Sequence, residues 1–162
     1  MSSKIVPCVW FDGQAEEAAT FYASVFPDSK ITAVHRAPGD YPAGKEGNVL
    51  TVEFMVCGMQ FMGLNGGPGH PLTDAVSFQV FTDDQAETDR YWSAIIEGGG
   101  EEIACSWCKD RFGLRWQIVP RRLTELMAEK DPAKSKAAFN AMMTMKKIDI
   151  AALDAAVEGV DA

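Results

Sequence analysis

Cys105-Ser-Trp-Cys-Lys-Asp-Arg-Phe-Gly-Leu-Arg-Trp-Gln-Ile-Val-Pro120 holds two short strand-like runs on either side of a polar break, Lys109-Asp110-Arg111. Gly113 opens a tight turn between them and Pro120 stops the second run, which reads as a hairpin. Alternation within 115–119 sends Trp116 and Ile118 to one face, and Arg115, Gln117 and Val119 to the other. A strand that buries a Trp on one side and presents a Gln between an Arg and a Val on the other is half core and half pocket wall. It predicts a sheet with one covered face and one open face.

Working outward, residues 76–82 read as a strand with Val76, Phe78 and Val80 on one face and Ser77, Gln79 and Phe81 opposite. Asp84 is placed to cap a helix reaching about Glu97, with Glu87 at its third position as in a capping box. Tyr91, Trp92, Ile95 and Ile96 form its apolar stripe, and Gly98-Gly99-Gly100 ends it. Three short strands between 101 and 120 complete a β-α-β-β-β order.

The same order is legible earlier in the chain. Residues 4–11 are apolar on both faces and are expected inside a sheet. Asp12-Gly13 ends that strand and caps a helix at 14–26, whose stripe is Ala18, Phe21, Tyr22, Val25 and Phe26. A strand at 31–36 precedes a Pro/Gly-rich loop at 37–47, long enough for a lid or a subunit contact. The strand at 49–57 sets Leu50, Val52, Phe54 and Val56 against Thr51, Glu53 and Met55, and Gly58 turns the chain into a fourth strand at 59–64. Gln14-Ala15-Glu16 matches Gln85-Ala86-Glu87, and the same offset pairs Phe21 with Trp92 and Val25 with Ile96. The chain therefore reads as a duplicated βαβββ module.

The expected fold class is α+β. Modules at 1–65 and 75–120 pair as one domain (1–120), with a curved mixed sheet and helices on its outer face. A Gly-rich stretch from Asn65 to Asp74 reads as a flexible linker. A helical tail at 121–162 extends the domain. Its signs are Leu123, Leu126 and Met127, then Asp131-Pro132 ahead of Ala138, Met142 and Met145, then Asp149 ahead of Ala152, Leu153 and Ala156.

Composition narrows the functions. With 162 residues and 47% apolar content the chain can bury a substantial core. A formal charge of −8 argues against nucleic acid and anionic membrane surfaces as partners. No apolar run approaches the roughly 20 residues of a spanning helix. Met1-Ser2-Ser3-Lys4-Ile5-Val6 reads as the start of a strand and not as a signal peptide, so the expected compartment is the cytoplasm. Cys8 and Cys57 lie in apolar runs and are expected as small buried hydrophobes. Cys105 and Cys108 form a CxxC without a second pair, and the motif enters a strand instead of opening a helix, which favours a structural role over zinc or redox chemistry. The glycines at 65–69 precede neither Lys-Ser/Thr nor a helix, so they are not a phosphate loop.

A tandem βαβββ pair resembles the vicinal-oxygen-chelate superfamily of glyoxalases, extradiol dioxygenases and bleomycin-resistance proteins. Gly13 to Ala18 with Phe21-Tyr22, Asn65-Gly66-Gly67-Pro68, Ser77-Phe78, Tyr91-Trp92, Gly98-Gly99, Trp107, Asp110 to Gly113, Trp116 to Ile118 with Pro120, and the tail Met142 to Asp149 are similar to its PhnB-like subfamily, whose members often carry a demethylubiquinone methyltransferase label. No Gly-rich turn between a strand and a helix is present to cradle a nucleoside cofactor. The resemblance implies a divalent metal held from the first, fourth, fifth and eighth strands by His or Gln, Glu, His and Glu. The matching positions here fall near Ile5 or Pro7, Met62, Ala75 and Gln117. Aliphatic groups, a thioether and one amide hold such an ion poorly, so neither metal nor other cofactor is expected.

What the resemblance leaves is a cavity. By alternation it is lined by Thr51, Glu53, Met55, Met62, Ser77, Gln79, Phe81, Arg115 and Gln117. Singly, each would serve as a solvated sheet residue; together they suit a mostly apolar bowl with a few convergent polar groups. The expected function is binding or sequestration of a small molecule. The alternative is a metal-independent lyase or isomerase with Glu53 as acid/base, or with His35 in its place. The resemblance also implies a homodimer.

Overall fold

The computed structural model describes residues 3–161, and the chain divides into two compact units, one ending at Leu72 and the other beginning at Thr73.

In the first unit the elements are β1 (Cys8–Phe11), α1 (Ala15–Val25), β2 (Lys30–Arg36), β3 (Val49–Val56) and β4 (Met59–Asn65). The sheet runs in the order β1-β4-β3-β2, with β1 parallel to β4 and the other pairs antiparallel. The sheet follows the alternation of β3: Val52, Phe54 and Val56 are buried, while Thr51, Glu53 and Met55 face the other way, half-buried. Helix α1 covers the buried face with Ala15, Ala18, Ala19 and Tyr22, and Tyr22 packs at 6.0 Å from Phe54. Small residues bring helix and sheet close: a side chain on Gly63 would meet the Cβ of Ala15 at 3.0 Å.

Three expectations change here. Residues 4–7 form no strand, and β1 is an edge strand and not an interior one; its apolar residues are partly accounted for by the open face. Met1 and Ser2 of the expected first strand lie outside the described residues. Cys8 and Cys57 are exposed. Cys8 sits on the open face of β1, and Cys57 (φ 48°) forms with Gly58 (φ 76°) the two-residue turn between β3 and β4, the left-handed geometry that suits the twist of a hairpin. The third change concerns the start of α1. It takes no cap from its own N-terminal side chains; the Ala15 N–H donates to Asn65 Oδ1 at 2.9 Å, and Asn65 Nδ2 donates to the Val49 carbonyl. Asn65 is buried at the end of β4 and is no part of a linker.

In the second unit β5 (Ser77–Thr82), α2 (Gln85–Glu97), β6 (Glu101–Glu102), β7 (Trp107–Lys109) and β8 (Arg115–Pro120) repeat the plan, in the order β5-β8-β7-β6. Asp84 caps α2 by accepting from the Glu87 N–H as read from sequence, while Glu87 Oε2 returns to the Asp83 N–H, one residue ahead of the N-cap N–H that a capping box uses. Trp116 and Ile118 are buried under α2 with Tyr91, Trp92 and Ile95. The β7–β8 hairpin is pinned by Asp110, a fully buried carboxylate. It accepts the N–H groups of Phe112 and Leu114 and, at 2.9 Å, the indole N–H of Trp116.

The helical tail belongs to this unit. Helices α3 (Arg121–Met127), α4 (Pro132–Met142) and α5 (Ile150–Glu158) gather Leu123, Leu126, Ala138, Ile148 and Leu153 around Val119 of β8. Asp131 and Asp149 cap α4 and α5 as expected. Polar contacts fasten the tail further: the Cys105 and Ser106 N–H groups donate to the Met145 and Lys146 carbonyls, and the Gln85 amide bridges the Ile148 carbonyl and the Ile150 N–H. Among the described residues no helix is long and apolar enough to cross a membrane.

Candidate functional site

Each sheet has one face under its helix and one open face, and register places the side chains on the open faces. On the first sheet two rows run straight across the four strands. One is Cys8, Met62, Glu53 and Ala33; the next is Trp10, Leu64, Thr51 and His35. Met55 lies one step along β3, opposite Gln60. The two groups read as alternative proton carriers form one pair: His35 Nε2 lies 3.1 Å from Glu53 Oε1, with their side chains 55% and 33% exposed. Both remain in contact with solvent, so the desolvated carboxylate considered from sequence is replaced by a half-buried one held by an imidazole.

On the second sheet the corresponding row is Gln79, Gln117 and Trp107, beside Ser77, Arg115, Lys109 and Glu101. The polar groups form a chain: Gln79 Nε2 donates to Gln117 Oε1 at 3.2 Å, and Gln117 Nε2 donates to Ser77 Oγ at 2.8 Å. Arg115 is already engaged, donating from Nε to Asp74 Oδ1 and from Nη1 to the Gly113 carbonyl, both at 2.6 Å. Phe81 is 42% exposed and carries the Arg121 guanidinium 5.4 Å from its ring centroid. Thus Thr51, Glu53, Met55 and Met62 share one open face, and Ser77, Gln79, Phe81, Arg115 and Gln117 share the other.

Among the residues on these faces that were not anticipated as site residues are Cys8 and Trp10 on the first sheet, and Trp107 and Lys109 on the second. Trp107 occupies the place in its sheet that Glu53 has in the first, each paired with the β8 or β4 residue of the same row. The alternation around buried Cys108 carried that signal. Burial, followed by the nearby charge of Asp110, pushes the Cys108 thiol up to about 12, while Cys105 lies outside the strand in the left-handed region (φ 54°). The CxxC is thus one inert core thiol and one turn residue.

The metal positions inferred from resemblance shift as well. Ile5 and Pro7 precede β1 and Ala75 precedes β5. Register instead sets Cys8 beside Met62 on one sheet and Gln79 beside Gln117 on the other. Among the described residues no three His, Cys, Asp or Glu groups converge. Cys8 is exposed as a residue but its thiol is partly screened, and that desolvation raises it above its ordinary range; the two amides are bonded to each other. A hard or borderline divalent ion fits neither pair.

The two βαβββ units define the class: this is the glyoxalase-type, vicinal-oxygen-chelate fold. A family model described as 3-demethylubiquinone-9 3-methyltransferase matches residues 3–119, and the chain belongs to that family. A PhnB protein from Bacillus cereus is 30% identical with a TM-score of 0.64, covering 73% of this chain and 99% of its own. Protein PA1353 from Pseudomonas aeruginosa (22% identity, TM-score 0.60, 74% and 98% covered) and the fosfomycin resistance protein FosX from Mesorhizobium loti (13%, 0.56, 80% and 99%) share the fold. Nothing among curated proteins matches the sequence.

A methyl-donating nucleoside cofactor, implied by the family description, does not fit the strand-to-helix junctions after β1 and β5, and β8 runs straight into α3 at Pro120-Arg121 with no turn between. The junction after β1 is Asp12-Gly13-Gln14 and that after β5 is Asp83-Asp84. Helix α1 begins on the Asn65 carboxamide, and the first turn of α2 is closed by Asp84 and Glu87. Neither is a Gly-rich turn open to a phosphate or ribose.

Proposed function

We propose that this protein binds a small organic molecule on an open sheet face without a metal ion. Thr51, Glu53, Met55 and Met62 are the candidate contacts on the open face of the first sheet, and Ser77, Gln79, Phe81, Arg115 and Gln117 those on the open face of the second, each face taken by itself. The observation that carries this reading is the Gln79–Gln117–Ser77 chain beside the Trp107 ring. It sets amide and hydroxyl groups in fixed orientations next to an aromatic wall, the mixture that orients a mostly apolar ligand. The test is a thermal-shift screen of small organic molecules in EDTA, followed by titration of Gln117→Ala. Expected are stabilising molecules that tolerate EDTA and whose binding weakens about tenfold in the variant, the loss of one or two hydrogen bonds. Hits that vanish with EDTA, or a variant that binds normally, would overturn the reading.

The His35–Glu53 pair favours a second reading, a metal-independent lyase or isomerase in which Glu53 takes a proton from carbon and His35 holds its carboxylate in place. Solvent deuterium entering a bound ligand, and ceasing to do so in Glu53→Gln, is the outcome it requires. The protein is also proposed to be a cytoplasmic homodimer, since each sheet leaves edge strands that need cover. Light scattering that returns the monomer mass across dilution would contradict the dimer.

A further inference from the structure

A cleft lies at one end of the first sheet. It encloses about 380 Å³ and is lined by the turn after β1, the end of β2, the 37–47 loop and the start of the Gly-rich segment. Its walls are built. Ala37 and Asn48 close the loop through backbone hydrogen bonds, Asp40 holds Lys45 and the Glu46 N–H, and the Tyr41 ring lies flat on Gly44, where a Cβ would meet it at 2.5 Å. Ala43 sits on Gly67, the Trp10 ring lies against Gly66, and the Trp10 indole N–H donates to the Gly67 carbonyl at 2.8 Å. The 37–47 loop is closed by its own hydrogen bonds and forms one wall of the cleft, and Gly66 and Gly67 are packed against Trp10 and Ala43.

Two opposite charges line this cleft without meeting. The Asp12 carboxylate has no hydrogen-bond or ionic partner among the described residues. The Arg36 guanidinium donates one N–H to the Gly47 carbonyl and has no carboxylate partner among them. The Tyr41 hydroxyl is likewise unpartnered among them, and the Tyr41 ring, Ala43 and Val49 supply apolar wall. Nearby, Asp40 and Lys45 pair with each other and leave Asp12 and Arg36 as the two charges that face the cleft. An anion and a cation facing one cleft complement a molecule that carries both charges.

We propose that this cleft binds a small zwitterion of the α-amino acid class, with the ammonium at Asp12, the carboxylate at Arg36 and the side chain along Tyr41. The site is independent of the open-face ligand. The test is amide NMR of the full chain titrated with L-phenylalanine and L-glutamine, and with the single-charge analogues phenethylamine and 3-phenylpropionate. Expected are saturable shifts at Gly13, Asn48 and Gly67 with the amino acids, at least tenfold weaker binding of both analogues, and at least tenfold losses in Asp12→Asn and Arg36→Gln at unchanged thermal midpoints. Arg36→Lys, which keeps the charge, should recover part of the loss. No saturable shift, analogues within threefold of the amino acids, or shifts confined to the open faces would overturn the proposal. Gln117→Ala should leave this titration unchanged, so its failure and that of the open-face reading are distinguishable.

Discussion

The two units repeat one plan and complete it by different means. Helix α2 starts on its own residues, Asp84 and Glu87, within a single turn. Helix α1 starts on Asn65, fifty residues downstream at the far end of its module. The β2–β3 connection of the first unit is a hydrogen-bonded loop that walls a cleft, whereas β6 and β7 are short and the second unit is reinforced by three helices packed on Val119. A locally capped helix forms from its own sequence, and one capped from β4 completes its start only when the strand is in place. The second unit also depends on a tail that the first has no counterpart for.

Truncation after Pro120 probes that difference most strongly. It removes Leu123, Leu126, Ile148 and Leu153 from the core around Val119. At about 1.5–3 kcal/mol per buried aliphatic side chain the loss should be on the order of 5 kcal/mol or more. Urea denaturation should show the second unit unfolded or unfolding far earlier; an unshifted transition would mean the tail is an ornament.

Next in size are the residues under the second sheet. Trp116→Ala should cost about 3–5 kcal/mol. Asp110→Ala should be of similar size, because three N–H donors lose their acceptor at about 1–3 kcal/mol for each that stays buried. Gln117→Ala, one residue along on the open face, should cost less than about 1 kcal/mol. Equal losses for Trp116 and Gln117 in thermal denaturation would reverse the face assignment.

The caps give a sharper comparison. Asn65→Ala loses both the Ala15 cap and the bond to the Val49 carbonyl in a buried setting, and should cost about 2–3 kcal/mol. Asp84→Ala loses an exposed cap and should cost about 1 kcal/mol. If the order is reversed, the first helix does not depend on its strand.

The alternation and capping signals made most elements legible in the sequence, from Leu50 to Val56 through the Asp84 cap to the Trp116 strand. What stayed hidden depended on distance or on where a strand begins. Asn65 looked like a linker residue because nothing local shows that its carboxamide reaches Ala15. Residues 4–7 looked like strand because apolar content marks no boundary, and that displaced the inferred metal positions from Cys8 to Ile5 or Pro7. The His35–Glu53 contact needed the β2–β3 register, which bulges between His35 and Arg36.

Smallest in energy, thiol reactivity separates the cysteines. Cys57 should react fastest with an aromatic disulfide and Cys8 more slowly, its thiol raised by burial. Cys108 should stay silent from pH 7 to 9, where a thiol held near 12 is protonated. Prompt modification of Cys108 in the native protein would show that the hairpin opens.

The claim that ligand binding needs no metal is tested most directly by native mass spectrometry of the freshly purified protein, incubated with a hit from the thermal-shift screen, with and without EDTA. The account predicts the chain mass plus the organic ligand in both samples and no stoichiometric divalent ion. One nickel, zinc, manganese or iron per chain, lost together with the ligand when EDTA is added, would contradict it.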